Sequence, residues 1–407
     1  MQFLLSWRNI WRNPRRTLVI LTAVVVGVWS MIVLGGLMRG LSFQLLENGI
    51  ATLTGHLQIH RQGFRQDPVI QNHIEDPEAV RRVLEDILPD GASWTERLRV
   101  NAIANNARNA AGVTLVGILP EEEARVSFIG KAVTRGDYLA RGDDYGILVG
   151  KALLEDFDTR LGRRLVLMSR DMRGEVASRA FRITGVFQSE MEATEKSFVF
   201  VSMEAAREML GLERGVSEFA VLLPGHGAAD DAAATLKEKL PTPPLSVETW
   251  KTLLPMVRLV LEMYDSFILI WFLVVFVAMA FGIVNTLLMA VFERIREFGL
   301  MKALGMKPGG VVRGVLSESF LLLLLGTTAG NVLGLLTVKI LAGTGIDLSS
   351  LAAATEYVGM PRVIIPQIKS WDLVSANVVV LVLGLAVSLY PALKAARITP
   401  VEALAHT

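Results

Sequence analysis

The sequence predicts a membrane α-helical protein with four transmembrane helices and a mixed α+β domain outside the bilayer. Three observations carry this. Uncharged runs occur at 18–38, 266–292, 320–338 and 373–393, and each can cross the hydrocarbon core as a helix, which takes about 20 residues at about 1.5 Å each. Residues 39–265 are too polar for a membrane and numerous enough to build a core of their own. Finally, 52% of the 407 residues are hydrophobic and the mean hydropathy is +0.44. That is too apolar for a water-soluble enzyme of this size and too polar for a chain made only of spans. A net charge of +1 creates no field that would draw nucleic acid. With no cysteine, disulfides, thiol catalysis and cysteine-held metals are excluded.

At the start, Phe3, Trp7, Ile10 and Trp11 share one helical face, accompanied by Arg8, Arg12, Arg15 and Arg16. Residues 1–17 therefore read as an amphipathic helix on the cytoplasmic membrane surface, closed by Pro14. A basic start before an apolar run also fits a secretory signal. The 21 residues of 18–38 exceed a signal core, however, and no A-x-A-like site follows, so a retained anchor is expected. With the N-terminus inside, residues 39–265 lie outside.

In that region, 54–63 alternates as a strand, and Asp76-Pro77-Glu78 supplies an N-cap and a first-turn proline for a helix to about Leu88. Strands are expected near 97–104, 112–118, 146–149, 164–168, 180–187 and 198–201, with short helices at 150–157 and 203–210. Strand 218–223, helix 228–240 and strand 245–249 then form a βαβ unit. Two lobes are expected, one from the ends of the region and one from its middle. Residues 250–265 carry Leu253, Leu254, Val257, Leu261 and Tyr264 at helical spacing. They form either a stalk continuous with the second span (266–292) or a short helix packed on the domain.

The connection 293–314 carries Arg294, Arg296, Lys302, Lys307 and Arg313 against Glu293 and Glu297, a basic excess that places it in the cytoplasm. Ile295, Phe298, Leu300, Met301 and Leu304 lie among these charges. They predict a short helix along the membrane surface, ended by Gly305 and the Pro308-Gly309-Gly310 group; a solvated loop is the alternative. The third span (315–338) carries Gly326, Gly330 and Gly334 on one face. In lipid such a face admits close approach by another helix, within the subunit or across a subunit interface. An outer loop (339–372), a fourth span (373–393) with a kink candidate at Pro391, and a cytoplasmic tail (394–407) complete the chain.

Two segments resemble a known family. Glu293-Arg294-x-Arg296-Glu297-x-Gly299-Leu300-x-Lys302-Ala303-Leu304-Gly305 is similar to the coupling segment of the FtsX/MacB/LolC-LolE permeases of type VII ABC transporters. The tail, with Pro391, Ala395, Ala396, Arg397, Pro400 and Glu402, resembles the C-terminal ending of those permeases. Looser phrases at 54–59, 117–123, 147–153 and 183–187 follow the family's order, as does the layout of one span, a large external domain and three spans. The resemblance implies that the external domain divides into porter-like and β-rich subdomains. It further implies that 293–305 docks on an ATPase and that the chain sits in a bacterial inner membrane.

No G-x-x-x-x-G-K-[ST] occurs, so the chain carries no phosphate-cradling loop of that kind; the resemblance then implies that ATP and Mg are held by a separate ATPase subunit in two copies. The expected partners are a second permease copy or paralogue, membrane lipids, and a lipoprotein or other lipid-bearing substrate, with a periplasmic chaperone or adaptor. The family's chaperone-recruiting hairpin corresponds to 169–182, which is short here and lacks proline; that argues against direct recruitment. Adaptor-linked efflux and FtsX-like signalling to a wall hydrolase are the alternative functions. His56 and His60 are four residues apart, but within a strand pattern and without nearby acidic or thiol ligands no metal site is expected. No catalytic set is found.

Overall fold

A computed structural model of the chain describes residues 2–189, 191–240, 245–347 and 363–399. These fall into two compact units, one within 2–44, 260–347 and 363–399, the other within 45–259. In chain order the helices are α1 Gln2–Trp11, α2 Pro14–Gly49, α3 Pro77–Ile87, α4 Pro120–Val126, α5 Ile129–Ala132, α6 Lys151–Asp156, α7 Glu192–Ser197, α8 Met203–Leu210 and α9 Ala229–Lys239. After them come α10 Trp250–Leu253, α11 Pro255–Glu293, α12 Ile295–Ala303, α13 Pro308–Thr344 and α14 Ser370–Arg397.

Helices α2, α11, α13 and α14 are long and apolar enough to cross a bilayer. Their shared core includes Val24, Val28, Phe272, Met279, Leu323 and Val380. The glycine face of α13 lies against α2: a Cβ on Gly326, Gly330 or Gly334 would meet the side chains of Val24, Val28 and Ile32 in turn. Valine and isoleucine knobs four residues apart thus fill the space that the missing side chains leave. Asn331 and Asn377 exchange amide hydrogen bonds of 2.8 and 3.2 Å between α13 and α14, which satisfies two polar groups in the apolar core. At the other end of these helices Arg39 donates to both oxygens of Asp372 at 2.8 and 2.9 Å and pairs with Asp265 at 2.7 Å.

Two prolines act differently from expectation. Pro14 opens α2 instead of closing the helix before it, and Pro308 sits at the first position of α13. Proline lacks an N–H that a first helical turn leaves unbonded in any case, and its φ is already helical. The hydroxyl of Thr17 donates to the Ile10 carbonyl at 2.5 Å and pins the α1–α2 turn. Pro391 is accommodated inside α14, which continues to Arg397.

The other unit is built on ten strands: β1 Leu57–Arg61, β2 Ser93–Asn105, β3 Ala110–Ile118, β4 Val133–Gly136, β5 Gly146–Gly150, β6 Arg164–Arg170, β7 Val176–Phe187, β8 Phe198–Ser202, β9 Glu218–Leu222 and β10 Leu245–Thr249. They form one hydrogen-bonded sheet in the order β10-β1-β9-β2-β3-β8-β5-β7-β4, with β6 joining β2 and β7. The two expected lobes are therefore flanks of a single sheet. Strand β2 is long enough to serve both: Ser93–Arg97 pair with β9, while Ile103–Asn105 pair with β6. Strands β9 and β10 both pair antiparallel to β1, which lies between them, so the βαβ unit is of the split kind. Asp76 caps α3, accepting from the Ala79 N–H at 3.3 Å. The helix expected over 250–265 is interrupted once, because α10 ends at Leu253 and α11 starts at Pro255, where the missing proline N–H interrupts the helical ladder; from Pro255 it runs unbroken into the second span as α11.

Candidate functional site

Within the connection 293–314, residues 295–303 form the nine-residue helix α12. Glu293 closes α11, and Arg294 is the residue that precedes α12. One face of α12 is buried: Ile295 and Phe298 are apolar and closed off, and Gly299 lies beside them. Phe298 packs in a core with Val291, Val311, Val315, Ala392, Ala395 and Ala396. This core joins the ends of α11, α13 and α14 and accounts for the small residues of the tail motif. Lys302 donates to the carbonyls of Ala396 and Ile398 at 2.9 and 2.6 Å, satisfying acceptors that the end of α14 leaves open. Pro391 and Arg397 lie on α14; Pro400 and Glu402 lie outside the described residues.

Gly305 ends α12. Its φ is +97°; its N–H reaches the Lys302 carbonyl at 3.0 Å and the Met306 N–H reaches the Met301 carbonyl at 3.0 Å. This is the paired bonding of a Schellman ending, which requires the left-handed conformation that glycine adopts freely.

The opposite face points outward. Leu300 is 57% exposed, Leu304 81% and Met306 40%, and Arg296 is exposed beside them. Apolar groups left open on and just after a helix whose other side is held by a core mark a ridge that meets a protein partner or the membrane surface.

The acids of the segment are engaged within the chain. Glu297 accepts from Arg294 at 3.0 Å and from Arg12 at 2.5 Å. Burial pushes its carboxyl up, but these two arginines outweigh that and hold it below the usual carboxylate range. Arg294 donates to both oxygens of Glu318 at 3.0 Å. Its guanidinium also lies 5.3 Å from the Phe298 ring centre. Burial opposes its charge, yet Glu318 and Glu297 keep its pKa above the ordinary arginine value. Glu293 pairs with Arg16 and accepts from Asn13 at 3.1 Å.

In the sheet unit, no group of three histidine or acidic side chains among the described residues could hold a metal ion. His56 instead belongs to a hydrogen-bonded relay that the sequence does not signal. The Leu223 N–H donates to His56 Nδ1 at 3.1 Å, so His56 Nε2 carries the proton and donates to His226 Nδ1 at 2.9 Å. His226 Nε2 then faces Glu47 at 2.8 Å. The histidines are 170 residues apart, and no spacing marks their meeting.

Family models match most of the chain. The MacB-like periplasmic core domain matches residues 17–239, and the FtsX-like permease C-terminal domain matches 268–400. The chain is similar to the lipoprotein-releasing system transmembrane protein LolC of Neisseria meningitidis, 23% identical over 410 residues, covering 96% of this chain and 94% of that one. It is 26% identical over 305 residues to the protein of the same name from Xylella fastidiosa, covering 71% and 72%. It is also 34% identical over 125 residues to the macrolide export ATP-binding/permease protein MacB of Chlorobaculum tepidum, covering 31% of this chain and 17% of that one. With both family domains present, in sequence order, on four apolar helices and an α/β unit, the chain belongs to the FtsX/MacB/LolC-LolE family and is a bacterial membrane protein, an ABC transporter permease of that type.

Proposed function

We propose that this chain converts ATP hydrolysis on a separate ATPase subunit into movement of its α/β unit, and that the movement releases lipoproteins or similar lipid-bearing molecules from the inner membrane. The observation that carries the coupling half is the outward ridge of Leu300, Leu304 and Met306 on a helix fixed along its other face. A push on that ridge is passed to the ends of α11, α13 and α14 because their shared core is close-packed. The basic excess near 293–314 and after the fourth span supports a cytoplasmic position for this end and for both termini. Two ATPase copies, which hold ATP and Mg, and a second permease, identical or paralogous, complete the assembly. The names of the two LolC relatives support the substrate class.

The test is ATP-dependent release from proteoliposomes that contain this chain, its ATPase, the second permease and a triacylated lipoprotein. Release that is lost in Leu304→Asp supports the reading. Intact ATP hydrolysis without release, and without response to lipoprotein, refutes the lipoprotein half and points to adaptor-linked efflux.

A further inference from the structure

We propose that the N-terminal helices are a fixed part of the ATPase-docking platform: Arg12 and Arg16 occupy Glu297 and Glu293, so these acids position α12 and do not meet the ATP-binding subunit. The inference rests on the coupling reading of α12 and deepens it.

Four donors gather at the α1–α2 turn: Asn9 in the last turn of α1, Arg12 and Asn13 between the helices, and Arg16 in the first turn of α2. Each finds an acid of the coupling region. Asn9 donates to Glu318 at 2.8 Å, Arg12 to Glu297 at 2.5 Å and Asn13 to Glu293 at 3.1 Å, while Arg16 pairs with Glu293. Arg294 closes the set by bridging Glu297 and Glu318. Three acids of α11, α12 and α13 are thus tied to the α1–α2 turn around a cleft of about 130 Å³. With Glu293 and Glu297 so engaged, the surface left for a partner is the apolar group of Leu300, Leu304 and Met306 with the exposed Arg296 beside it.

Energy alone would not select this arrangement. The Arg12 side chain is 65% exposed and that of Glu297 37%, and open pairs contribute little to stability. Geometry is what the network provides: it adds a second side to the hold on a nine-residue helix that is otherwise fixed by its apolar face and by Lys302. Arg12 and Glu297 are therefore positioning residues.

Charge exchange tests this. The full chain is co-expressed with its ATP-binding subunit as wild type, Arg12→Glu, Glu297→Arg, the double exchange, and Leu304→Asp. The readouts are the amount of ATP-binding subunit that co-purifies from membranes and the ATP hydrolysis of the purified complex. Each single exchange places like charges together and should lower both readouts about threefold or more, while the double exchange lifts them above Glu297→Arg without reaching wild type, because Glu297→Arg still sets a like charge beside Arg294. A double exchange as weak as Glu297→Arg, with Leu304→Asp also weak, means that Glu297 touches the ATPase itself and overturns the proposal. Single exchanges that behave as wild type overturn it as well. Leu304→Asp that co-purifies normally is a different result, because it removes the coupling reading of α12.

Discussion

Replacing Arg97 by methionine probes a buried charge cluster in the sheet unit. Arg97 and Glu123 have no exposed side-chain surface. The guanidinium gives Glu123 two hydrogen bonds, of 2.9 and 2.8 Å. It gives a third, of 3.1 Å, to Glu218 and a fourth to the carbonyl of Leu53. Burial works against the arginine's charge, but the two glutamates overcome it and hold its pKa above the ordinary value. In Arg97→Met, Glu218 keeps Arg99 at 3.6 Å and the Leu53 carbonyl keeps the Gln58 amide at 3.0 Å. Glu123 loses both of its hydrogen bonds from Arg97. Orphaning a buried carboxylate costs about 3–5 kcal/mol, which lowers the unfolding midpoint of a unit this size by about 6–20 °C. Adding Glu123→Leu removes the orphan and should recover all but about 1 kcal/mol. The assay is thermal unfolding of the full chain in detergent, monitored by near-ultraviolet circular dichroism. A single variant within about 2 °C of wild type, or a double variant as unstable as the single, would refute the reasoning.

Four further outcomes are expected. Gly330→Leu should cost about 1–3 kcal/mol in detergent thermostability, because its Cβ alone would lie 2.7 Å from the Val28 Cβ and 3.0 Å from the Val25 carbonyl. Gly282→Ala, whose nearest neighbour would be the Ala23 Cβ at 3.9 Å, should be neutral within about 0.5 kcal/mol. Gly305→Ala should shorten the life of the α12 ending, since φ is +97° there; a cost of about 1 kcal/mol would appear as faster amide exchange at Met306. The last concerns pH. Burial, with the neighbouring His226 as the smaller cause, lowers the His56 pKa from 6.5 to about 4. A depressed histidine pKa means that the unfolded chain binds the proton first. The contribution is therefore full above pH 6.5 and is lost as the pH falls through about 4. About 2 kcal/mol is at stake after allowance for solvent, and His56→Gln should flatten the acid limb of stability measured between those limits.

The elements that local pattern governs were readable from the chain. The uncharged runs announce four helices because a span is defined by its own composition, and Asp76-Pro77 announces a helix start because capping is a matter of adjacent residues. Gly305 announces an ending for the same reason. Pro14 and Pro308, unlike Pro77 after Asp76, were legible only as breaks. That Pro14 and Pro308 begin helices depends on how the residues beyond them pack, since a first-turn proline and a terminating one read alike.

Tertiary structure decided what pairs with what. Alternation marked β2 as a strand, but nothing in it says that its first residues belong with β9 and its last with β6, so two lobes became one sheet. Arginines in a sequence default to the surface; Arg97 is interior because its acids arrive from 26 and 121 residues away. Likewise no local pattern signals that Glu297 and Glu293 meet Arg12 and Asn13, 285 and 280 residues away. Periodicity records which face of an element must be covered. The covering group is chosen by chain folding over long separations, and local sequence holds no record of that choice.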